Sequence, residues 1–237
     1  QSDLNEVRNS LTAHYKQMAD ITLTGTWNQI VGTFSGGYDG NGYTISNLTI
    51  SNFGNSNYIG LFSVLQGTSS SARAYVRNLK LENVNISTDR SAGAVVGLTS
   101  TYSDITNVEV DGVTISGGHY WIGGLTALVE GNSTAGRSTV TNVIVKNANL
   151  SSTNSTKYIG AVAGELRWAQ VRYAWGYSNT ASQGYSFTQV FDANCTFISV
   201  GGGYKTTFLT GTQTTNRYVI TLSNPTATST YTTSKTG

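Results

Sequence analysis

Four segments of the chain repeat one another in two features that march in step, and this constrains the fold more than anything else in the sequence. Aligning YTISNLTIS (43–51), AYVRNLKLENVNIS (74–87), SDITNVEVDGVTIS (103–116) and STVTNVIVKNANLS (138–151) superposes Asn47, Asn78, Asn107 and Asn142, at spacings of 31, 29 and 35 residues. A second element follows each copy: YIGLFS (58–63), SAGAVVG (91–97), WIGGLTA (121–127) and YIGAVAG (158–164). Their final small residues, Ser63, Gly97, Ala127 and Gly164, are 34, 30 and 37 apart. Within a copy the apolar residues alternate, as at Leu79, Leu81, Val84 and Ile86. That is the period of half-buried strands and not of helices. About thirty residues hold roughly three short strands and their turns.

One such unit cannot bury its apolar face alone, but stacked copies can, each pairing its backbone with the unit about 4.8 Å below. The pattern predicts an all-β chain folded as a parallel β-solenoid, with the aligned asparagines stacked as an amide ladder and the small residues at the sharpest bends. A two-sheet sandwich is the alternative, but it has no need for Asn and small residues to return in step. The open strand edges of a solenoid need caps. SDLNEVRNSL places Leu4, Val7 and Leu11 on one helical face, with Ser2 or Asp3 as N-cap and His14 at the end of the helix. The organisation expected is an N-terminal helical cap with repeats over 1–167 and an irregular β region with a Thr/Ser-rich tail over 168–237.

The glycine-rich stretch FSGGYDGNGYTISNLTIS (34–51) raises a narrower question. A calcium loop needs more oxygen ligands at fixed spacing than Asp39, Asn41, Tyr43 and Thr44 supply, and a phosphate cradle needs a helix directly after the glycines. A strand follows instead, so Asp39-Gly40-Asn41-Gly42 reads as a turn.

The combination of GLFS, GAVVG, GGLTA and GAVAG with x-N-L/V-x-L/V strands resembles the GLUG repeat family of bacterial and archaeal surface proteins, over residues 3–165. DLNEVRNSL through IVGTFSGGYDGNGYTISNLTIS is similar to the unit that leads into such repeats. Ser63, Thr126 and Ala127 depart from the family's usual glycine or apolar residue, and nothing after Trp168 matches. The resemblance implies a right-handed β-helix with an adhesive or structural role and supplies no catalytic residues.

Composition bears on where such a chain works. Of 237 residues only 11% are charged, under half the usual share, and the net charge is +2. The basic residues are scattered, so neither a nucleic-acid stripe nor a polybasic membrane patch is present, and no apolar run approaches a membrane span. Gly, Ser, Thr, Asn and Tyr hold the surface positions, as in secreted and surface-displayed β proteins, and a start at Gln1 fits a mature product after cleavage. Cys195 is single, which excludes an internal disulfide framework and makes it a small buried hydrophobe. Asn47, Asn85, Asn132, Asn149, Asn154 and Asn194 each head an Asn-x-Ser/Thr triplet. Strand alternation turns Asn85 and Asn149 outward in one column and assigns Asn47 to the buried ladder. Glycans are therefore expected at Asn85, Asn132, Asn149, Asn154 or Asn194 and not at Asn47.

Candidate chemistry is sparse, and no cofactor or metal is expected. Neither His14 nor His119 has metal-ligand spacing. His119, Tyr120 and Trp121 could touch a sugar, as could Trp168 and Trp175. Glu82, Glu109 and Asp111 lie near equivalent positions of successive units, so that Glu82 and Glu109 line one face a unit apart, in a row that continues as Ile144. Paired carboxylates on a β-helix face can serve acid/base catalysis, but solvated surface charge is the plainer reading. The function expected is a non-catalytic extracellular structural or adhesive protein, self-associating as a fibre through the N-terminal cap or the 226–237 tail, or acting as a surface module. A carbohydrate-binding module and a polysaccharide-active enzyme are the alternatives.

Overall fold

The computed structural model describes the chain except residues 52–54, 118–120, 153–157, 178–179, 183–186, 193–195, 199, 203–204, 209–216, 224–229 and 232–237, and beyond Ala174 it is described as backbone. The chain is an all-β parallel solenoid. Successive turns begin at the strands His14–Lys16, Gly37–Asp39, Ala74–Thr88, Ser103–Gly117, Ser138–Lys146 and Ala169–Tyr177, which lie side by side in one large sheet. Ala74–Thr88 and Ser103–Gly117 pair in parallel from Ala74↔Ser103 to Thr88↔Gly117, and the Ser138–Lys146 and Ala169–Tyr177 strands continue the register.

Each turn then crosses a four-stranded sheet of Tyr58–Ile59, Ser91–Gly93, Trp121–Gly123 and Tyr158–Gly160. It returns through a third sheet containing Ile30–Phe34, Phe62–Leu65, Val96–Thr99, Thr126–Glu130 and Ala163–Arg167. The corner between these two sheets explains the repeated small residues. A Cβ on Gly97 would stand 2.5 Å from the Tyr58 carbonyl carbon, and one on Gly93 would stand 2.3 Å from the Thr126 Cα. Backbone there passes too close to backbone for a side chain.

Inward residues form straight columns along the axis. Ile45, Leu81, Val110 and Val145 are in register and fully buried, as are Ile50, Ile86, Ile115 and Leu150. Each contributes about 1.5–3 kcal/mol by leaving water. At the N-terminal end the core turns aromatic, with Phe34 and Phe62 stacked at 4.8 Å.

The N-terminal cap is smaller than the sequence suggests. An α-helix spans only Ser2–Asn5, with Gln1 in place of Ser2 or Asp3 as N-cap, and a 3₁₀ turn follows at Glu6–Asn9. Leu4 and Val7 plug the core at 2% exposure each, whereas Leu11 is only half-buried. Ser10 is already extended, and His14 lies in a strand, paired to Gly37, and not on a helix. The competing principle is backbone pairing: Gly37–Asp39 offers an open edge, and residues 14–16 gain more by completing that ladder than by adding a marginal helical turn.

At the other end the coil runs past residue 168. Ala169–Tyr177 keeps register with Ser138–Lys146, and Phe187–Asp192 pairs in parallel with Ala163–Arg167, so the region set apart as 168–237 opens with a further turn of the coil. Antiparallel pairing then replaces the parallel order, as Arg217–Ser223 joins Phe187–Asp192 and Lys205–Phe208. Within the tail, Thr230–Tyr231 pairs antiparallel with Val200–Gly202 of the same chain.

Candidate functional surfaces

The outer surface of the coil carries three features built from the repeats. The first is the asparagine ladder. Asn142 donates its side-chain amide to Asn107 Oδ1 at 2.8 Å, Asn107 donates to Asn78 Oδ1 at 3.0 Å, and Asn78 donates to Asp39 Oδ1 at 3.0 Å. All three asparagines have φ between 51° and 55°. Left-handed backbone bends the long strand at this position, and Asn is the residue besides Gly that visits it routinely.

Asn47 does not continue that column, which corrects the expected alignment. Thr44, Ile45 and Ser46 pair with Lys80, Leu81 and Glu82, so Asn47 stands opposite Asn83 and accepts its amide at 3.5 Å, on the exposed surface. A second left-handed column therefore runs through Asn47, Asn83, Gly112 and Asn147, five residues from the first. Similar spacing between asparagines pointed to the wrong partner, because the turn that carries Asn47 makes its first bend at Gly40-Asn41-Gly42. Those residues form a turn in which Asp39 Oδ1 also accepts the Asn41 N–H, while Asp39 Oδ2 takes the Arg77 guanidinium at 2.9 Å. Burial pushes the Asp39 carboxyl up, but the Asn78 amide, the Asn41 N–H and Arg77 outweigh it and hold the group below its ordinary range.

The second feature is ionic. Lys80, Glu109 and Ile144 form one outward row, and Glu82, Asp111 and Lys146 the next. The in-register neighbour of Glu109 is thus Lys80, with Glu82 on the diagonal, a correction to the expected row. Lys80 bridges Glu82 at 2.6 Å and Glu109 at 3.4 Å, and Lys146 bridges Glu109 at 3.0 Å and Asp111 at 3.2 Å. The Glu82 hydrogen bond, with Glu109 nearby, raises the Lys80 ammonium above its usual range, and Glu109 and Asp111 do the same for Lys146. Every carboxylate of the expected catalytic group is ion-paired with a lysine of the same face, two lysines serving three carboxylates.

Of the third feature the sequence singled out only Trp121, as a candidate sugar contact. Tyr58, Ser91, Trp121 and Tyr158 occupy one register column on the outside of the short sheet. The Tyr58 and Trp121 rings lie 6.4 Å apart and 16° from parallel. Beside them, Leu98, Leu128 and Glu165 form an outward column of the third sheet, yet Leu128 and Glu165 are only 1% exposed. Glu165 is covered by its partners: Trp121 donates its indole N–H to Oε2 at 2.5 Å, and Arg167 donates Nε to Oε1 at 2.9 Å and Nη2 to Oε2 at 3.0 Å. Arg167 also lies 5.4 Å from the Trp121 ring centre and 3.4 Å from Glu130. Burial lowers the Arg167 guanidinium, but Glu165 and Glu130 outweigh it and hold it above its ordinary range; burial and Glu130 push the Tyr58 hydroxyl up. The signal in the sequence was the charged pair in AGELR where the preceding turn reads TALVE, a carboxylate in the column of a buried leucine.

The remaining candidates are scattered. Asn85 and Asn149 are exposed in one outward column with Thr49 and Thr114, and Asn132 is exposed in a loop. His14 is exposed, its Nδ1 at 3.2 Å from the Tyr75 hydroxyl. Trp168 is half-buried near Arg137, and Trp175 is placed opposite Ile144 by its backbone. His119, Tyr120, Asn154, Asn194, Cys195 and most of 226–237 lie outside the described residues. No helix among the described residues is long and apolar enough to cross a membrane, and none of their His, Cys, Asp and Glu side chains form a group of three suited to a metal ion.

No protein-family model matches the chain. A segment of it is 31% identical over 151 residues to halomucin of Haloquadratum walsbyi, covering 56% of this chain and 2% of halomucin. The fold is similar to a crystal structure from Bacteroides ovatus described as a candidate immunoglobulin A1 protease, with a TM-score of 0.61 and 18% identity, covering 86% of this chain and 66% of that one. At that identity the likeness shows the fold.

Proposed function

We propose that the chain is a non-catalytic extracellular module of a surface protein, in which a GLUG-type repeat array serves as a structural and adhesive scaffold. The observation that carries this reading is the pairing of Glu82, Glu109 and Asp111 with Lys80 and Lys146. A general acid or nucleophile must change its charge or attack during reaction, and these carboxylates are already engaged in ion pairs with lysines. The likeness to a segment of halomucin and the low charge content support a place outside the cell, and the repeats give a rigid rod on which surfaces can be displayed.

The reading is tested in two assays. Incubating the purified protein with polysaccharides and with immunoglobulin A should release no fragments detectable by mass spectrometry, and antibodies to it should label intact cells of the native source. Fragment release that disappears in Glu109→Gln would overturn the non-catalytic reading, and labelling only after lysis would overturn the extracellular one. Self-association into a fibre is a second expectation: electron microscopy should show end-to-end rods, and a strictly monomeric protein at high concentration removes it.

A further inference from the structure

The outer corner between the short sheet and the third sheet has the composition of a ligand site. Tyr58, Trp121 and Tyr158 stand in one column along the solenoid axis, all half-buried. About 4.8 Å per turn makes that column roughly 14 Å long, since Ser91 occupies the turn between Tyr58 and Trp121. Aromatic side chains standing partly out of a sheet, with no charge of their own, are apolar on the face and polar at the tip. Leu128, in register with the Glu165 that Trp121 contacts, is buried yet outside the main core cluster, so the corner has apolar packing of its own.

Polar groups at this corner are oriented before any ligand arrives. Glu165 clamps Arg167 through two hydrogen bonds and anchors the Trp121 indole, so the ring and the guanidinium are locked together. Preorganised aromatic and Arg groups lose little conformational entropy on binding. Glu130, with its side chain 38% exposed, stands at the rim as a hydrogen-bond acceptor. Among the described residues, the charges around Tyr58 and Trp121 are Arg167 against Glu130 and Glu165, an excess of one negative charge. An anionic ligand would meet that excess unfavourably, whereas hydroxyl groups can donate to Glu130 while their carbon skeleton covers the rings.

We propose that the outer corner carrying Tyr58, Trp121, Tyr158, Glu130 and Arg167 binds an uncharged glycan chain laid along the solenoid axis. The inference rests on the reading of the protein as an adhesive module and names the ligand class of that adhesion. Glu165 is a positioning residue here, because it acts through Trp121 and Arg167.

The test is affinity electrophoresis of the purified protein through gels containing soluble β-glucan, mannan, galactan or glycol-chitin, with alginate and polygalacturonate as acidic comparisons. At least one uncharged polymer should retard the protein, Trp121→Ala should weaken that binding by about tenfold or more, and Tyr158→Ser should weaken it while leaving the unfolding midpoint unchanged. Glu82→Gln, on the ionic face, should bind as the parent does. Retardation by none of the uncharged polymers, a preference for the acidic ones, or parental binding by folded Tyr158→Ser and Trp121→Ala variants would overturn the proposal. These outcomes leave the fragment-release and cell-labelling assays untouched, so failure of the glycan site and failure of the surface-module reading are told apart.

Discussion

Asn107 gives its side-chain amide to Asn78 one turn below, at 3.0 Å, while both residues hold a left-handed backbone with φ of 55° and 51°. One residue type thus serves two needs: it tolerates the bend, and it satisfies its own amide in the next turn. Separating the two is straightforward. Asn107→Gly removes the hydrogen bonds to Asn78 and Asn142 but keeps the backbone freedom, and should lower stability by about 1–2 kcal/mol. Asn107→Ala removes both and should cost about 1 kcal/mol more. Urea midpoints of the two variants check the order, and an alanine variant as stable as the glycine one would contradict the strain argument.

Gly112 interrupts the second column. It stands between Asn83 and Asn147 with φ of +69°, and a Cβ there would meet only Asn83 Oδ1 at 3.6 Å and its backbone N at 3.9 Å. Asn147, lacking an amide below it, donates to Asp111 instead, at 2.7 Å. Gly112→Asn should complete the column and raise stability by about 0.5–1.5 kcal/mol, read as a higher unfolding midpoint. A fall in the midpoint would show that the ladder has no room for another amide.

Arg167 compensates the buried carboxylate of Glu165. Arg167→Ala leaves that charge without its guanidinium in a site 1% exposed and should cost about 3–5 kcal/mol. Adding Glu165→Leu, which restores the residue type that Leu128 holds one turn below, should recover most of the loss. A double-mutant cycle by chemical denaturation measures this, and additive losses would mean that the two residues do not act as a pair.

Acid should weaken the coil at two defined points. Asp39 and Asp111 both have carboxyls held below the ordinary value of 3.8, after burial is outweighed by Asn78 and Arg77 in one case and by Asn147 and Lys146 in the other. A depressed carboxyl stabilises the fold fully above its unfolded value, and the contribution disappears as pH falls through the folded value. Stability should therefore be level near neutrality and decline below about pH 4. Asp39→Asn should flatten part of that decline in urea midpoints measured from pH 2 to 7, and an unchanged acid limb would exclude Asp39 as a contributor.

The local content of this fold was legible because it repeats. Alternation at Leu79, Leu81, Val84 and Ile86 announced strands with one buried face, and recurrence of Asn78, Asn107 and Asn142 with Gly97 and Gly164 announced stacking, since side chains that meet in register must be compatible turn after turn. The same alternation assigned the outward column of Asn85 and Asn149. What sequence could not decide is which turns pair and what lies over the outer surface. The 31-residue interval from Asn47 to Asn78 matches its neighbours, yet hydrogen bonding sets Asn47 beside Asn83, because register is fixed by the whole strand and not by one residue type. The helix expected to reach His14 yielded to an open strand edge that exists only once Gly37–Asp39 is in place. Trp121 is far along the chain from the strand Ala163–Arg167 that carries both Glu165 and Arg167, and their meeting depends on how sharply the corner folds. That is a property of backbone packed against backbone, which no local pattern of side chains records.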